Sequence, residues 1–335
     1  MVTENEENFA FGLHETVINF STNNAELMEE VRGDFGSFEK HKDLKFNGQM
    51  KIIQIDKELP LVVPKYAIRD LFFPEDVSLF TISNQRFREE KGNRIYRMDY
   101  KKNTILGYFR SSYDFFYVRY LLKWLLIKSL EKQGIAFIHG SGVERNGTSL
   151  FFVGPSGFGK THTLITFLLE GYKLITDDTI FCNGEKVLPF SLRSRISSDM
   201  FEKFPVLKKG IGKIRSILPE GGVLINLGDL FPIQKKEIRP SKLFFMYVWN
   251  APETKIELIP KKEMLARLLH IYKIEFGSSM WFNYEEDKAM KRIFPRYQGF
   301  VEKADCYKVY VGRDLTAFRK TIHSCITETD SSTTF

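Results

Sequence analysis

Over residues 11–110, apolar and polar positions alternate in short runs, as in Met50-Lys51-Ile52-Ile53-Gln54-Ile55. Turn formers separate the runs: Phe46-Asn47-Gly48, Lys91-Gly92-Asn93 and Lys101-Lys102-Asn103. A period of two between such turns predicts short strands in an antiparallel, mostly β region. At Asp114 the period lengthens. Phe115, Val118, Leu121, Leu122, Leu125 and Leu126 recur at helical spacing, with Asp114 set to cap the helix and Gly134 to stop it. The polar ends, 1–10 and 327–335, are expected to fray.

Beyond Gly134 the pattern is strand-like again. Ile135-Ala136-Phe137-Ile138-His139 leads through Val143-Glu144-Arg145 to an Asn146-Gly147 turn, and Ser149-Leu150-Phe151-Phe152-Val153 returns as the second arm of a hairpin. A helix-like run, Thr163-Leu164-Ile165-Thr166-Phe167-Leu168-Leu169-Glu170, comes next and is closed by Gly171. Tyr172-Lys173-Leu174-Ile175-Thr176 then reads as a strand ending in Asp177-Asp178. A second hairpin joins Thr179-Ile180-Phe181-Cys182 to Glu185-Lys186-Val187-Leu188 about Asn183-Gly184. Hairpins mixed with a strand–helix–strand unit predict an α/β core with a mixed sheet, unlike an all-parallel sheet whose strands are all separated by helices.

Between the strand ending at Val153 and the helix-like run stands Gly154-Pro155-Ser156-Gly157-Phe158-Gly159-Lys160-Thr161, a complete G-x-x-x-x-G-K-[ST] phosphate-binding loop. Its glycines let the backbone wrap phosphate oxygens where a side chain would collide. The amides of the turn and of the following helix supply partial positive charge. Lys160 is expected on the β and γ phosphates and the Thr161 hydroxyl on Mg²⁺.

Asp177 and Asp178 end their strand 17 and 18 residues past the loop lysine, and a tight return from the helix is expected to bring that strand beside the one carrying the loop. Side chains alternate along a strand, so adjacent carboxylates there need not share a task. One is expected to ligate Mg²⁺ and the other to take the acceptor's proton. His139 ends the strand whose hairpin partner leads into the loop. Arg193 and Arg195, in the polar stretch after the second hairpin, are candidates for stabilising phosphate charge.

Composition narrows the class further. The 335-residue chain is 43% apolar and 27% charged, the balance of a globular protein with ample core. Its net charge of +7 gathers partly in Lys208, Lys209, Lys213 and Arg215, and in Lys235, Lys236, Arg239 and Lys242. No nucleic-acid-binding module accompanies these clusters, so no nucleic-acid partner is expected. Cys182, Cys306 and Cys325 are widely spaced and form no C-x-x-C pair, so no zinc site or disulfide framework is expected. Acidic Glu4, Glu6 and Glu7 exclude a secretory n-region, and the apolar stretch 115–130 is interrupted by Arg119, Lys123 and Lys128. A cytoplasmic protein with no membrane partner is the expectation.

Together, His139-Gly140, the loop Gly154 to Thr161, and Gly171-Tyr172-Lys173-Leu174-Ile175-Thr176-Asp177-Asp178 resemble the HPr kinase/phosphorylase family, whose wider superfamily includes phosphoenolpyruvate carboxykinases. The likeness is firm over 135–195. It is weaker over 240–322, where Leu243-Phe244-Phe245-Met246-Tyr247-Val248 and Tyr307-Lys308-Val309-Tyr310-Val311 look like later strands of such proteins. The first 110 residues are closer to the β-rich leader of divergent kinases that phosphorylate peptide precursors such as lasso peptides. The resemblance implies ATP and Mg²⁺, with residues 154–162 on the nucleotide and Thr161 and Asp177 on the metal. It implies Asp178 as base and His139 near the reacting phosphate, the roles of the two aspartates being interchangeable at this level. His162 departs from the small or acidic residues usual after the loop hydroxyl. No segment corresponds to the one that supports the reverse reaction, so a kinase without phosphorylase activity is expected.

The expected organisation is a β-rich accessory region over 1–112, suited to acceptor binding, a kinase domain over 113–326 and a disordered tail over 327–335. The expected reaction is transfer of the γ-phosphate of ATP to a hydroxyl, serine above others, of a peptide or small protein. A small-molecule kinase for an amino acid or sugar, and a non-catalytic nucleotide-binding regulator, are the alternatives. Association into a homo-oligomer stays open.

Overall fold

A computed structural model describes residues 6–41, 44–56, 58–61, 63–65, 67–70, 77–90, 92–211, 222–277 and 286–330. Lys91, Lys213, Arg215, Glu4 and the tail from 331, all named above, lie outside the described residues. The chain divides into two compact units at Gln133/Gly134. The boundary therefore falls after the helix that starts at Phe115, where 112/113 was expected, because that helix covers the sheet of the first unit.

The first unit is built from β1 (Glu7–Leu13), β2 (Thr16–Thr22), α1 (Ala25–Phe35), β3 (Gly48–Gln54), β4 (Ile68–Asp70), β5 (Val77–Ile82), β6 (Gln85–Glu90), β7 (Arg94–Asp99), β8 (Thr104–Phe109) and α2 (Phe115–Lys132). Its strands form one eight-stranded sheet in the order β1-β2-β3-β8-β7-β6-β5-β4. The expected β-rich character holds, but the sheet is mixed where an antiparallel one was expected: β3 runs parallel to both β2 and β8. The reason is α1, which the alternation did not foretell. Asn24 caps it by accepting from the Leu27 N–H at 2.7 Å, and it carries the chain across so that β3 re-enters in the direction of β2. Residues 7–10, expected to fray, are strand. For α2 the expected cap is present, the Tyr117 N–H donating to Asp114 Oδ1 at 3.1 Å, and Leu121, Leu122, Leu125 and Leu126 are all buried.

The second unit runs through β9 (Ala136–Ile138), β10 (Gly140–Arg145), β11 (Thr148–Val153), α3 (Lys160–Leu169), β12 (Lys173–Thr176), β13 (Ile180–Cys182), β14 (Val187–Leu188) and β15 (Ser194–Ile196). It continues with α4 (Met200–Lys203), β16 (Val223–Ile225), β17 (Lys242–Val248), β18 (Lys255–Leu258), α5 (Lys261–Gly277), α6 (Glu286–Glu302), β19 (Asp305–Val311) and α7 (Leu315–Asp330). The last helix reaches Asp330, so 327–330 is helical where a disordered tail was expected. A six-stranded sheet has the order β12-β10-β11-β17-β19-β18, with β10 and β18 opposed to the other four. A three-stranded sheet, β14-β13-β9, and the pair β15-β16 are built from strands that precede β10 or lie between β12 and β17.

One consequence corrects the expected neighbourhood of the paired aspartates. β12 pairs with β10, so the hairpin arm lies between it and the loop strand β11. The β10–β11 hairpin takes the neighbouring place first, and the crossover through α3 adds β12 outside it. Because β12 is still parallel to β11, both strands end at the same rim of the sheet, and β10 begins there. On one face of this sheet, Phe152, Phe244, Met246 and Val309 pack with Leu164 and Phe167 of α3 and Ile322 of α7. On the other, the Phe151 ring meets Phe300 of α6 at 5.5 Å.

Candidate active site

The loop from Gly154 to Thr161 leaves β11 and enters α3, and its backbone explains its composition. Gly154, Gly157 and Gly159 have φ of 152°, 81° and 76°, values an L side chain rarely adopts. A Cβ on Gly154 would also stand 3.1 Å from the Met246 carbonyl oxygen, while Gly157 and Gly159 face open space. Gly159 is the N-cap of α3 and no side chain caps that helix. Its first-turn N–H groups therefore have no intrahelical or capping acceptor, which is the arrangement that binds anions. Lys160 is buried, and its ammonium donates to the carbonyls of Gly154 and Pro155, both at 2.8 Å.

The two aspartates occupy different environments. Asp177 is 6% exposed and accepts from the Thr161 hydroxyl at 3.1 Å. Burial raises its pKa above the ordinary carboxylate value, helped by neighbouring Asp178, while the hydroxyls of Ser194 and Thr161 and the Lys160 charge pull it back. Asp178 has a side chain 52% exposed and a left-handed backbone at φ 68°. That conformation, tolerated by aspartate better than by most residues, turns the chain so that the two carboxylates diverge. The turn is braced from within: the Thr176 hydroxyl, buried, reaches the Phe190 carbonyl at 2.5 Å and also the Thr179 carbonyl. His139, between β9 and β10, brings Nδ1 to 3.2 Å from Asp178 Oδ1.

Sheet order thus gathers Lys160, Thr161, Asp177, Asp178 and His139 at one rim. Arg193 is buried just ahead of β15, whereas Arg195 on that strand is exposed, on the opposite side from the buried Ser194. His162 places its ring edge-on to Phe204, 4.7 Å between centroids, with Nε2 buried and unpaired among the described residues. Burial, then the Lys203 charge, lowers its pKa, so the ring is a neutral packing element and what it brings to the loop is its backbone N–H. Ser194 went unnoticed in sequence, standing between the two arginines that drew attention. Its signal was the alternation of buried and exposed positions along β15.

No cluster of three or more His, Cys, Asp or Glu among the described residues forms a metal cage. The donors at the rim instead fit a divalent cation that keeps waters and phosphate oxygens: one buried carboxylate and one hydroxyl, in contact with each other. Burial pushes the thiols of Cys182 and Cys306 each up to about 12. Among the described residues, no helix is long and apolar enough to cross a membrane.

No family model and no curated protein matches the chain. Among solved structures it is similar to the HPr(Ser) kinase/phosphatase from Coxiella burnetii, at 9% sequence identity over 58% of this chain and 98% of that one, with a TM-score of 0.28. A likeness at that score carries no argument, and the functional reading stands on the residues of the rim.

Proposed function

We propose that this chain is an ATP- and Mg²⁺-dependent kinase that transfers the γ-phosphate to a serine hydroxyl of a peptide or small protein. One observation carries the reading: a phosphate loop with an uncapped helix behind it shares its rim with two divergent carboxylates, one buried against the loop hydroxyl and one exposed beside a histidine. The acceptor class comes from the resemblance of residues 135–195 to HPr-kinase-like proteins, and with it the expectation of no phosphorylase activity.

The chain's own groups divide the work. Lys160 exchanges its two carbonyl partners for phosphate oxygens, and the amides from Gly157 to His162 take the remaining phosphate charge. Thr161 and Asp177 would hold Mg²⁺, which neutralises charge on the β and γ phosphates. Asp178, exposed, accepts the proton of the serine hydroxyl as its oxygen bonds to the γ-phosphorus and the bond to the bridging oxygen breaks, releasing ADP. His139 orients Asp178 through their 3.2 Å contact and is a positioning residue. Arg193, buried just ahead of β15, would add positive charge. The β-rich first unit is the proposed acceptor-binding part.

Incubation with Mg²⁺, γ-labelled ATP and a pool of serine- and threonine-containing peptides tests this. Label is expected on a peptide serine and is lost in Lys160→Ala. Metabolite-stimulated ADP release without labelled peptide would move the acceptor to a small molecule. Nucleotide binding with neither product would contradict the reading.

A further inference from the structure

Sheet order gives the nucleotide a direction. His139 and the two aspartates stand on the β10 and β12 side of the loop strand, so the transferred phosphate faces that way. The nucleoside end then leaves over the ends of β17 and β19, on the other side of β11. That rim carries aromatic rings rather than the usual polar strand ends.

Along β17, Phe244 and Met246 point into the core with α3, so Phe245, Tyr247 and, just past the strand, Trp249 alternate to the opposite face. Tyr310 of β19 is the register partner of Tyr247. Their rings lie 5.4 Å apart and 23° from parallel, and Trp249 lies 5.5 Å from Tyr310. Phe158 of the phosphate loop reaches the same group, 6.3 Å from Tyr247. Tyr247, Trp249, Tyr310 and Phe158 are only half-buried, whereas rings serving the core alone, such as Phe151 and Phe152, are fully buried.

We propose that Tyr247, Trp249 and Tyr310, continuous with the loop through Phe158, form a shelf on which the base of the donor nucleotide stacks, and that the shelf accepts a purine without choosing between adenine and guanine. The inference rests on the nucleotide reading of the loop given above and extends it to the base. The lack of choice follows from the rings, whose π surface carries no pattern of donors and acceptors. Trp249 Nε1 donates to the Glu253 carbonyl at 2.8 Å, the Tyr247 hydroxyl is held by Arg267, and that of Tyr310 by Lys308. Lys255 and Lys308, 5.9 and 5.6 Å from the Tyr310 ring, are each ion-paired with Glu257. Arg267 lies over the Tyr247 ring at 5.5 Å, so Trp249 and Tyr310 are the rings left to a base, and stacking on π surface is tolerant of base identity.

Calorimetric titration of the full chain with ATP, GTP and inorganic tripolyphosphate, each with Mg²⁺, tests the shelf. ATP and GTP should bind within a few-fold of each other. Tyr310→Ala and, separately, Trp249→Ala should each weaken both by roughly tenfold, the loss expected of one ring–base stack. Neither variant should change tripolyphosphate affinity, and that retained binding verifies that the variant is folded. Unchanged ATP affinity in both variants, or a preference between ATP and GTP beyond about a hundredfold, would overturn the shelf while leaving the loop reading intact. Failure of the wild-type chain to bind tripolyphosphate would overturn the loop reading, and the shelf with it.

Discussion

Asp177 is the residue whose fold and task pull hardest against each other. Its burial disfavours the charge that a metal ligand needs, which is why its pKa is raised. The sign for stability follows. As pH rises through the ordinary carboxylate value the unfolded chain ionises first, so it binds fewer protons than the folded one and stability falls until the folded pKa is passed. Asp177→Asn should therefore melt at a higher temperature than the metal-free wild type at neutral pH, with the gap closing in acid below about pH 4. Mg²⁺ with ATP should raise the melting temperature of the wild type and lift that of Asp177→Asn much less. Thermal melts across pH, with and without Mg²⁺ and ATP, check both outcomes. At this scale the placement of the loop between strand and helix, and the positive φ of its glycines, were legible in sequence because they follow from local backbone geometry. The opposite exposures of Asp177 and Asp178 were not, since they depend on the left-handed backbone of Asp178.

At the scale of elements, the site depends on a turn held by one hydroxyl. Thr176 ends β12 and ties the Asp177-Asp178 corner to the carbonyls of Thr179 and Phe190. Thr176→Val keeps the volume but leaves buried carbonyls short of a donor, costing about 1–3 kcal/mol of stability. Because the loop itself is untouched, ATP affinity should hold while kcat falls at least severalfold, and denaturant melts with steady-state kinetics separate the two effects. The Asn146-Gly147 hairpin was readable because both residues take positive φ, 54° and 84°, as the turn demands. α1 was missed: its stripe of Leu27, Met28, Val31 and Phe35 is short and embedded among strands. The position of β12 was misjudged because sequence order does not say which neighbour a returning strand finds occupied.

At the scale of the molecule, every residue proposed for donor binding and proton transfer belongs to the unit that begins at Gly134. A chain of residues 134–335 should bind Mg²⁺ and ATP with the affinity of the full protein and lose affinity for the peptide acceptor, measured by calorimetry and by KM. Loss of nucleotide binding in a folded fragment would contradict that division. The division was only partly visible beforehand, because the periodic helix of 115–132 shows its apolar faces in sequence but not which sheet they cover. The central claim is that Asp178 moves the acceptor's proton while the loop holds the nucleotide. Its most direct test is single-turnover transfer from γ-labelled ATP to the peptide acceptor in Asp178→Asn, alongside ATP affinity in the same variant. The account predicts ATP affinity within a few-fold of wild type and transfer slowed by roughly 10²–10⁴-fold; transfer at the wild-type rate would contradict it.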